Sequence, residues 1–317
     1  MELSTKLKQR FCKDNGLSIQ VFKEPFFSER LEMLGCMNKY NDFKNLIKIE
    51  FKCNEERYFE YYNQLKDRII DYIKGSQAYN EMLQMDMNKC QCKYNIKQSD
   101  VYKVPNIGRK FISIDMVKAN FSALVYFGLD NGLEFFDSFD YEKFIGKFTD
   151  IDYFADSKYI RQVVFGNCCS KRQVTYEKYL ISRVLDIILD VIEIDIKDVY
   201  SMCSDEIILY ADNITPEQEL ILNNIAYMVK FPIRVERFTL GVVTSAENDV
   251  DIHSSNTYAY VKKSGFRDYD LKCMEPVNLP FVLKAIEGKE ITESDLVFFY
   301  NGKLAKFLEE PKLRIKY

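Results

Sequence analysis

The chain has 317 residues, 47% of them apolar or cysteine, which is enough to bury a large core and excludes a wholly disordered protein. Its 44 Lys and Arg against 48 Asp and Glu leave a net charge of -4, so no overall basic field draws it to nucleic acid and any such binding must come from a local groove. The sequence opens without a secretory leader and holds no apolar run near the ~20 residues that cross a bilayer. A protein that is not secreted and has no membrane partner is expected, cytoplasmic or, in a virus of a eukaryote, nuclear or in a viral factory. Frequent Lys and Asn, abundant Tyr and Phe and the absence of Trp suit a low-GC, viral source.

The first third reads as mainly helical. A short helix over residues 6–13 breaks at Asn15-Gly16, and residues 17–22 alternate in period two like a strand. From 55 to 74, Tyr58, Tyr61, Tyr62, Leu65, Ile69, Ile70 and Ile73 recur at spacings of three and four, which predicts a helix with one buried stripe, ended at Gly75. A polar, irregular stretch at 93–108, with Pro105 and Gly108, marks a boundary. Nine cysteines are scattered without the spacing of a disulfide scaffold, and a reducing compartment fits them. Cys90-x-Cys92 and Cys168-Cys169 lack the usual two-residue spacer of a zinc-binding pair and read as plain thiols, with zinc as the alternative.

Next come a strand at 111–115, helices at 155–165 and 170–192, and a strand-like run at 199–210 split by Ser204-Asp205-Glu206. A helix at 215–229 opens on Pro216 and Glu217, and short strands follow at 233–243 and 257–263, with a small helix near 279–286. Strands and helices interleave without regular βαβ spacing, which predicts an α+β fold. The division expected is a helical region at 1–108, a core at 109–240 carrying an inserted basic helix, and a small β-rich region at 241–317.

Two acidic segments carry the chemistry. Phe111-Ile112-Ser113-Ile114-Asp115 is a hydrophobic strand that delivers a carboxylate at its end, although an Asp there also suits a cap for a following helix. Asp205 and Glu206 are adjacent acids flanked by apolar strand formers, an arrangement that needs either solvent in a turn or a cation to offset the repulsion. Carboxylates from separate strands that converge on a pair of ions are what nucleotidyl transfer by two metals requires. Between the segments, Lys158, Arg161, Lys171, Arg172, Lys178 and Tyr179 lie on a pair of helices, and Lys171, Thr175, Lys178 and Ser182 fall in one line near a helix N-terminus. An exposed basic face on a core helix is the plainer reading of that line.

In order and spacing these features resemble the template-dependent DNA polymerases with a palm domain, over residues 111–212. Ile112-Ser113-Ile114-Asp115 is similar to their first motif, the helix with Lys171, Arg172, Lys178 and Tyr179 to the second, and Ser204-Asp205-Glu206-Ile207 to the Asp-Glu form of the third found in family A. Ser204 stands where a His usually precedes Asp-Glu, and Asn120 stands where these enzymes place a residue against the sugar. Tyr258-Ala259-Tyr260-Val261-Lys262-Lys263 and Leu271-Lys272-Cys273 resemble the Lys-rich hairpin that family B places beside the primer.

The resemblance implies a palm, an antiparallel sheet backed by helices, with Asp115 and Asp205 holding Mg²⁺ or Mn²⁺ and Glu206 assisting. It implies nucleotide contacts from Arg161, Lys171, Arg172, Lys178, Tyr179 and Asn120, and nucleic-acid contacts from Lys158, Lys262, Lys263 and Lys272. Its partners would be primer-template nucleic acid, nucleoside triphosphates and a protein supplying processivity or the missing thumb. A non-catalytic palm-like viral or host-interaction protein and a Mg²⁺-dependent nuclease are the alternatives. The nuclease would want a Lys two places after the Glu, where Ile208 stands. The sole histidine, His253, falls in a polar loop, so histidine catalysis is not expected.

Overall fold

The computed structural model describes residues 2–229, 231–246, 257–265 and 268–317, so His253 lies outside the described residues. Its first hundred residues are helical: α1 (Thr5–Asn15), α2 (Phe26–Met33), α3 (Met37–Ile49), α4 (Glu55–Gly75) and α5 (Gln77–Gln84). The stripe predicted along α4 is buried at Tyr58, Tyr62, Leu65, Ile69, Ile70 and Ile73. Asn54 caps the start of that helix by accepting the Arg57 amide at 3.0 Å. Residues 17–22 form no strand. Ile19 and Val21 are buried as the alternation predicts, but no neighbouring chain offers a ladder, and Gln20 instead donates to the Phe299 carbonyl at 3.0 Å.

The middle of the chain builds the sheet. Strand β1 (Lys110–Met116) leads into α6 (Ala119–Asn131), α7 (Tyr141–Ile145), α8 (Asp152–Asp156), α9 (Lys158–Gly166) and the long α10 (Ser170–Ile192). The helix expected at 155–165 is two, because Ser157 caps α9 through the Ile160 amide and donates to Asp14 at 2.6 Å, turning the chain there. A hairpin of β2 (Val199–Met202) and β3 (Glu206–Tyr210) follows, then α11 (Pro216–Val229) and β4 (Ile233–Ser245). Strands β5 (Thr257–Lys263) and β6 (Tyr269–Lys272), helix α12 (Leu279–Glu287), the separate hairpin of β7 (Val297–Tyr300) and β8 (Lys303–Lys306), and β9 (Leu313–Lys316) complete the chain.

The fold is mixed α+β with an antiparallel sheet ordered β2-β3-β1-β4-β5-β6, β9 pairing with β4. From β1 to β4 the chain runs strand, helices, strand, strand, helix, strand, with β3 inserted between β1 and β2, which is a split βαβ arrangement. The residues expected to form a separate region from 241 onward continue this sheet. Strand β4 runs unbroken through 240 and 241, β5 pairs along one edge, and β9 takes the other edge beyond the end of β1. Gly241 permits this: a Cβ there would lie 2.5 Å from the Tyr317 ring.

The two faces of the sheet differ. Ile112, Ile114, Met116, Ile207 and Leu209 join the large core shared with the helices, in which the N-terminal helices also take part. Phe111, Ile208, Phe238, Leu240 and Tyr260 face the other way, packed with Val101, Tyr102 and Ile107 from the segment before β1. That segment is tied down by Asn106, which donates to the Val101 carbonyl and the Tyr200 hydroxyl at 2.9 and 2.7 Å. It lies over the Phe111 end of this face; the Asp115 end is less buried, since Asp115, Glu206 and Glu236 keep partial exposure and Arg234 is exposed.

The shared core sets the first test. Phe154 is fully buried among the rings of Phe51, Tyr58, Tyr61, Tyr62 and Tyr153. Phe154→Ala is expected to cost ~3–5 kcal/mol in urea unfolding. The same change at the fully exposed Leu308 should stay within ~0.5 kcal/mol.

Candidate functional site

The acids meet because of register. Asp115 of β1 stands opposite Glu206 of β3 and, on its other side, opposite Arg234 of β4, and the Met116 amide donates to the Asp205 carbonyl at 2.8 Å. Period-two alternation then puts Ser113, Asp115, Glu206, Arg234 and Glu236 on the face away from the core helices. Asp205 occupies the turn between β2 and β3, closed by the Cys203 amide on the Glu206 carbonyl at 2.9 Å. Its Oδ1 accepts from the Ser204 hydroxyl at 3.2 Å and the Cys203 thiol at 3.4 Å. The Ser113 hydroxyl donates to Glu206.

Burial dominates the electrostatics of Asp115. Arg234 donates to Asp115 Oδ2 at 3.0 Å, yet the Asp115 carboxyl is pushed from 3.8 up to about 6. Burial is the largest cause, Arg234 and Lys262 oppose it, and Glu206 and Asp205 add to it. Alongside, Lys262 is buried on the same face, 2.6 Å from Glu236 and 4.7 Å from the centre of the Phe238 ring, and Ser264 also donates to Glu236.

Helix α10 buries a further acid. Glu177 is 6% exposed, takes part in no hydrogen bond or ion pair with the described residues, and is pushed from 4.5 up to about 7, first by burial and then by the charge of Asp205. The sequence reading missed it inside a basic stretch, although it continues the apolar face of Ile181, Val184, Leu185, Ile188 and Ile192 by one turn. Arg234 was missed for another reason: nothing local to it announces that it will face Asp115. Lys118 was missed as well. It sits at φ 50° before α6, paired with Glu142 and 5.2 Å from the centre of the Tyr141 ring.

The basic residues are distributed less simply. Arg161 lies 5.7 Å from the Tyr141 ring centre, beside the same ring as Lys118. Arg172 donates to the Met82 and Met85 carbonyls, both at 2.8 Å, and so closes the C-terminus of α5. Lys171 and Lys178 are exposed on α10, but the hydroxyls in line with them are bonded within the helix, Thr175 to the Lys171 carbonyl and Ser182 to that of Tyr179. Tyr179 packs against Tyr176 and Arg183, and Asn120 accepts the Phe121 amide. Lys158 borders a separate surface hollow with Asp14, Asp42, Asp152 and Asp156. Lys263 lies over the Tyr317 ring at 4.5 Å, and Lys272 pairs with Asp270 at 2.5 Å.

The acids offer an all-oxygen donor set, which suits Mg²⁺ or Mn²⁺, and the unpartnered Glu177 leaves carboxylate capacity unused. Among the described residues no three His, Cys, Asp or Glu side chains are gathered to hold an ion. Mg²⁺ sites on phosphate substrates commonly rest on one or two carboxylates, the substrate supplying further oxygens. No described helix is long and apolar enough to cross a membrane. No protein-family model matches the chain, and comparisons with curated proteins and with solved structures found no match.

The raised carboxyls fix the sign of the pH response. A group whose folded pKa lies above its unfolded value binds more protons when folded, so its contribution to stability falls as pH rises between the two. For Glu177 that window runs from 4.5 to about 7. In metal-free buffer Glu177→Gln is therefore expected to raise unfolding stability at pH 8 by ~1–3 kcal/mol. The gain should fade below pH 4.5; a gain independent of pH would contradict a buried, ionising Glu177.

Proposed function

We propose that the protein is a nucleotidyltransferase, a template-dependent polymerase with a palm-like sheet, acting on a primer 3′ hydroxyl and a nucleoside triphosphate. The observation that carries this reading is the cross-strand pairing of Asp115 with Glu206 beside the Asp205 turn, three carboxylates from two neighbouring strands at one end of the open face. An antiparallel sheet covered by helices on one face, with the acids on the other, fits the same reading.

Mg²⁺ or Mn²⁺, when bound, would activate the attacking hydroxyl and offset the charge of the triphosphate as pyrophosphate leaves. Asp115 and Asp205 would hold it, with Glu206 beside them. Glu206 is oriented by the Ser113 hydroxyl, and Asp205 by Ser204 and Cys203 through one oxygen, which leaves its other oxygen for a ligand. Arg234 is 64% exposed and free to turn from Asp115 toward a phosphate once another cation meets that carboxylate. Arg161 and Lys118, both set against the Tyr141 ring, are offered as cations for the triphosphate, with Lys171 and Lys178 as exposed additional charges. Primer-template contacts would fall to the open sheet face, where Lys262 stands; Lys263 alternates to the opposite face, over the Tyr317 ring.

A non-catalytic role for the same fold is the second reading. It is favoured by the ion pairs Arg234–Asp115 and Lys262–Glu236, which satisfy part of the acidic face within the chain.

Primer extension separates the two. With a primed DNA template, Mg²⁺ or Mn²⁺ and both sugar series of nucleotides, the wild type should extend, and Asp115→Ala and Asp205→Ala should each lose at least ~100-fold. Leu308→Ala should extend like the wild type. A wild type that binds primer but does not extend it, even with Mn²⁺, would favour the non-catalytic reading.

A further inference from the structure

Away from the acidic site the molecule leaves a large apolar surface uncovered. Helix α11 turns Leu222, Ile225 and Val229 into the core, while Leu220, Ile221, Tyr227 and Met228 lie exposed along its other side. Val229, at the end of that helix, borders a hollow of about 430 Å³ together with Tyr126, Leu129, Phe139, Leu180 and Phe231. Leu129 and Phe139 also border a second hollow of about 390 Å³, with Gly128 and Phe135 in its wall. The six exposed side chains, four on α11 with Leu129 and Phe139, are between 36% and 86% exposed. At about 200 Å² for a residue of this size they offer roughly 700 Å². That is more than the ~300–600 Å² of the largest apolar patch on a typical monomer, and it approaches the ~800 Å² each partner gives to a standard interface.

Phe139, 69% exposed, is held outward by its surroundings. Gly128 lets the loop after α6 fold tightly onto that helix, since a Cβ there would lie 2.5 Å from the Leu133 carbonyl oxygen. The Ser138 hydroxyl accepts the Asp140 amide at 3.0 Å, and Asp140 accepts the Glu142 amide at 2.9 Å at the start of α7. A fixed ring standing beside hollows on the same patch is a knob next to its own socket, and a two-fold contact between identical surfaces needs both on one patch. The charges agree with such a contact. Asp130 is paired with Arg183 at 2.8 Å and Asp137 with Lys147, which leaves Glu134 as the one unpaired charge bordering the hollows among the described residues. A rim so nearly neutral meets its own copy with little repulsion, and it offers a strongly charged partner no field to hold it.

We infer that this face pairs with a second copy of the chain across a two-fold axis, each Phe139 entering a hollow beside Leu129 of the other copy. The inference goes beyond the polymerase reading and does not depend on it, because none of its residues belongs to the acidic site.

The test is sedimentation velocity of the full chain from about 5 to about 300 µM, in the wild type, Phe139→Asp, Tyr227→Asp and Leu308→Asp. The wild type is expected to dimerise with a dissociation constant of roughly 1–100 µM. Phe139→Asp should weaken the dimer at least ~30-fold, Tyr227→Asp should weaken it as well, and Leu308→Asp, at a fully exposed position outside the patch, should leave it unchanged. Urea unfolding of the same samples keeps a folding defect apart from a lost contact. A wild type that stays monomeric overturns the inference and leaves the face to a different protein. A dimer that folded Phe139→Asp and Tyr227→Asp leave intact overturns it too, placing the contact elsewhere.

Discussion

Strand β1 is hydrogen-bonded along both edges, to β3 and to β4, and this double pairing decides what the rest of the molecule can do. Because a one-residue slip would send every side chain to the opposite face, the burial of Ile112, Ile114 and Met116 against the helices locks Asp115 onto the other face. The same register delivers Glu206 on one side of it and Arg234 on the other. An acid that costs folding energy by being partly buried is thus held in place by apolar neighbours on its own strand.

The helical layer does more than cover the sheet. It covers one face at Ile112, Ile114, Met116, Ile207 and Leu209, while the segment from Val101 to Ile107 closes the apolar end of the other. What is left is the acidic end, with Lys262 and Glu236 paired beside it. Helix α10 packs its apolar face, from Ile181 to Ile192, into the core beneath the sheet and buries Glu177 one turn earlier.

Much of this was legible in the sequence. Elements with strong periodicity, α4, α10, β1 and the split strand at Asp205-Glu206, follow the pattern of their residues closely. What was not legible is pairing between distant segments. The alternation at residues 17–22 predicts an extended chain correctly but not whether a partner strand exists to receive it. The continuity of β4 through Gly241 depends on Tyr317, seventy-odd residues away. At the candidate site, Asp115 and the Asp205-Glu206 pair stand out by their apolar flanks, whereas Arg234 becomes visible only through the β1–β4 register and Glu177 only through its burial. Arg172 is the converse: its charge drew attention in the sequence, and its hydrogen bonds are spent on closing α5.

The central claim is that the face around Asp115 receives a divalent cation, and the most direct measurement is anomalous diffraction from crystals grown with Mn²⁺. The account predicts a manganese peak beside the Asp115 and Asp205 carboxylates with the Arg234 guanidinium turned away from Asp115. Density without such a peak, and with Arg234 still on Asp115, would contradict it.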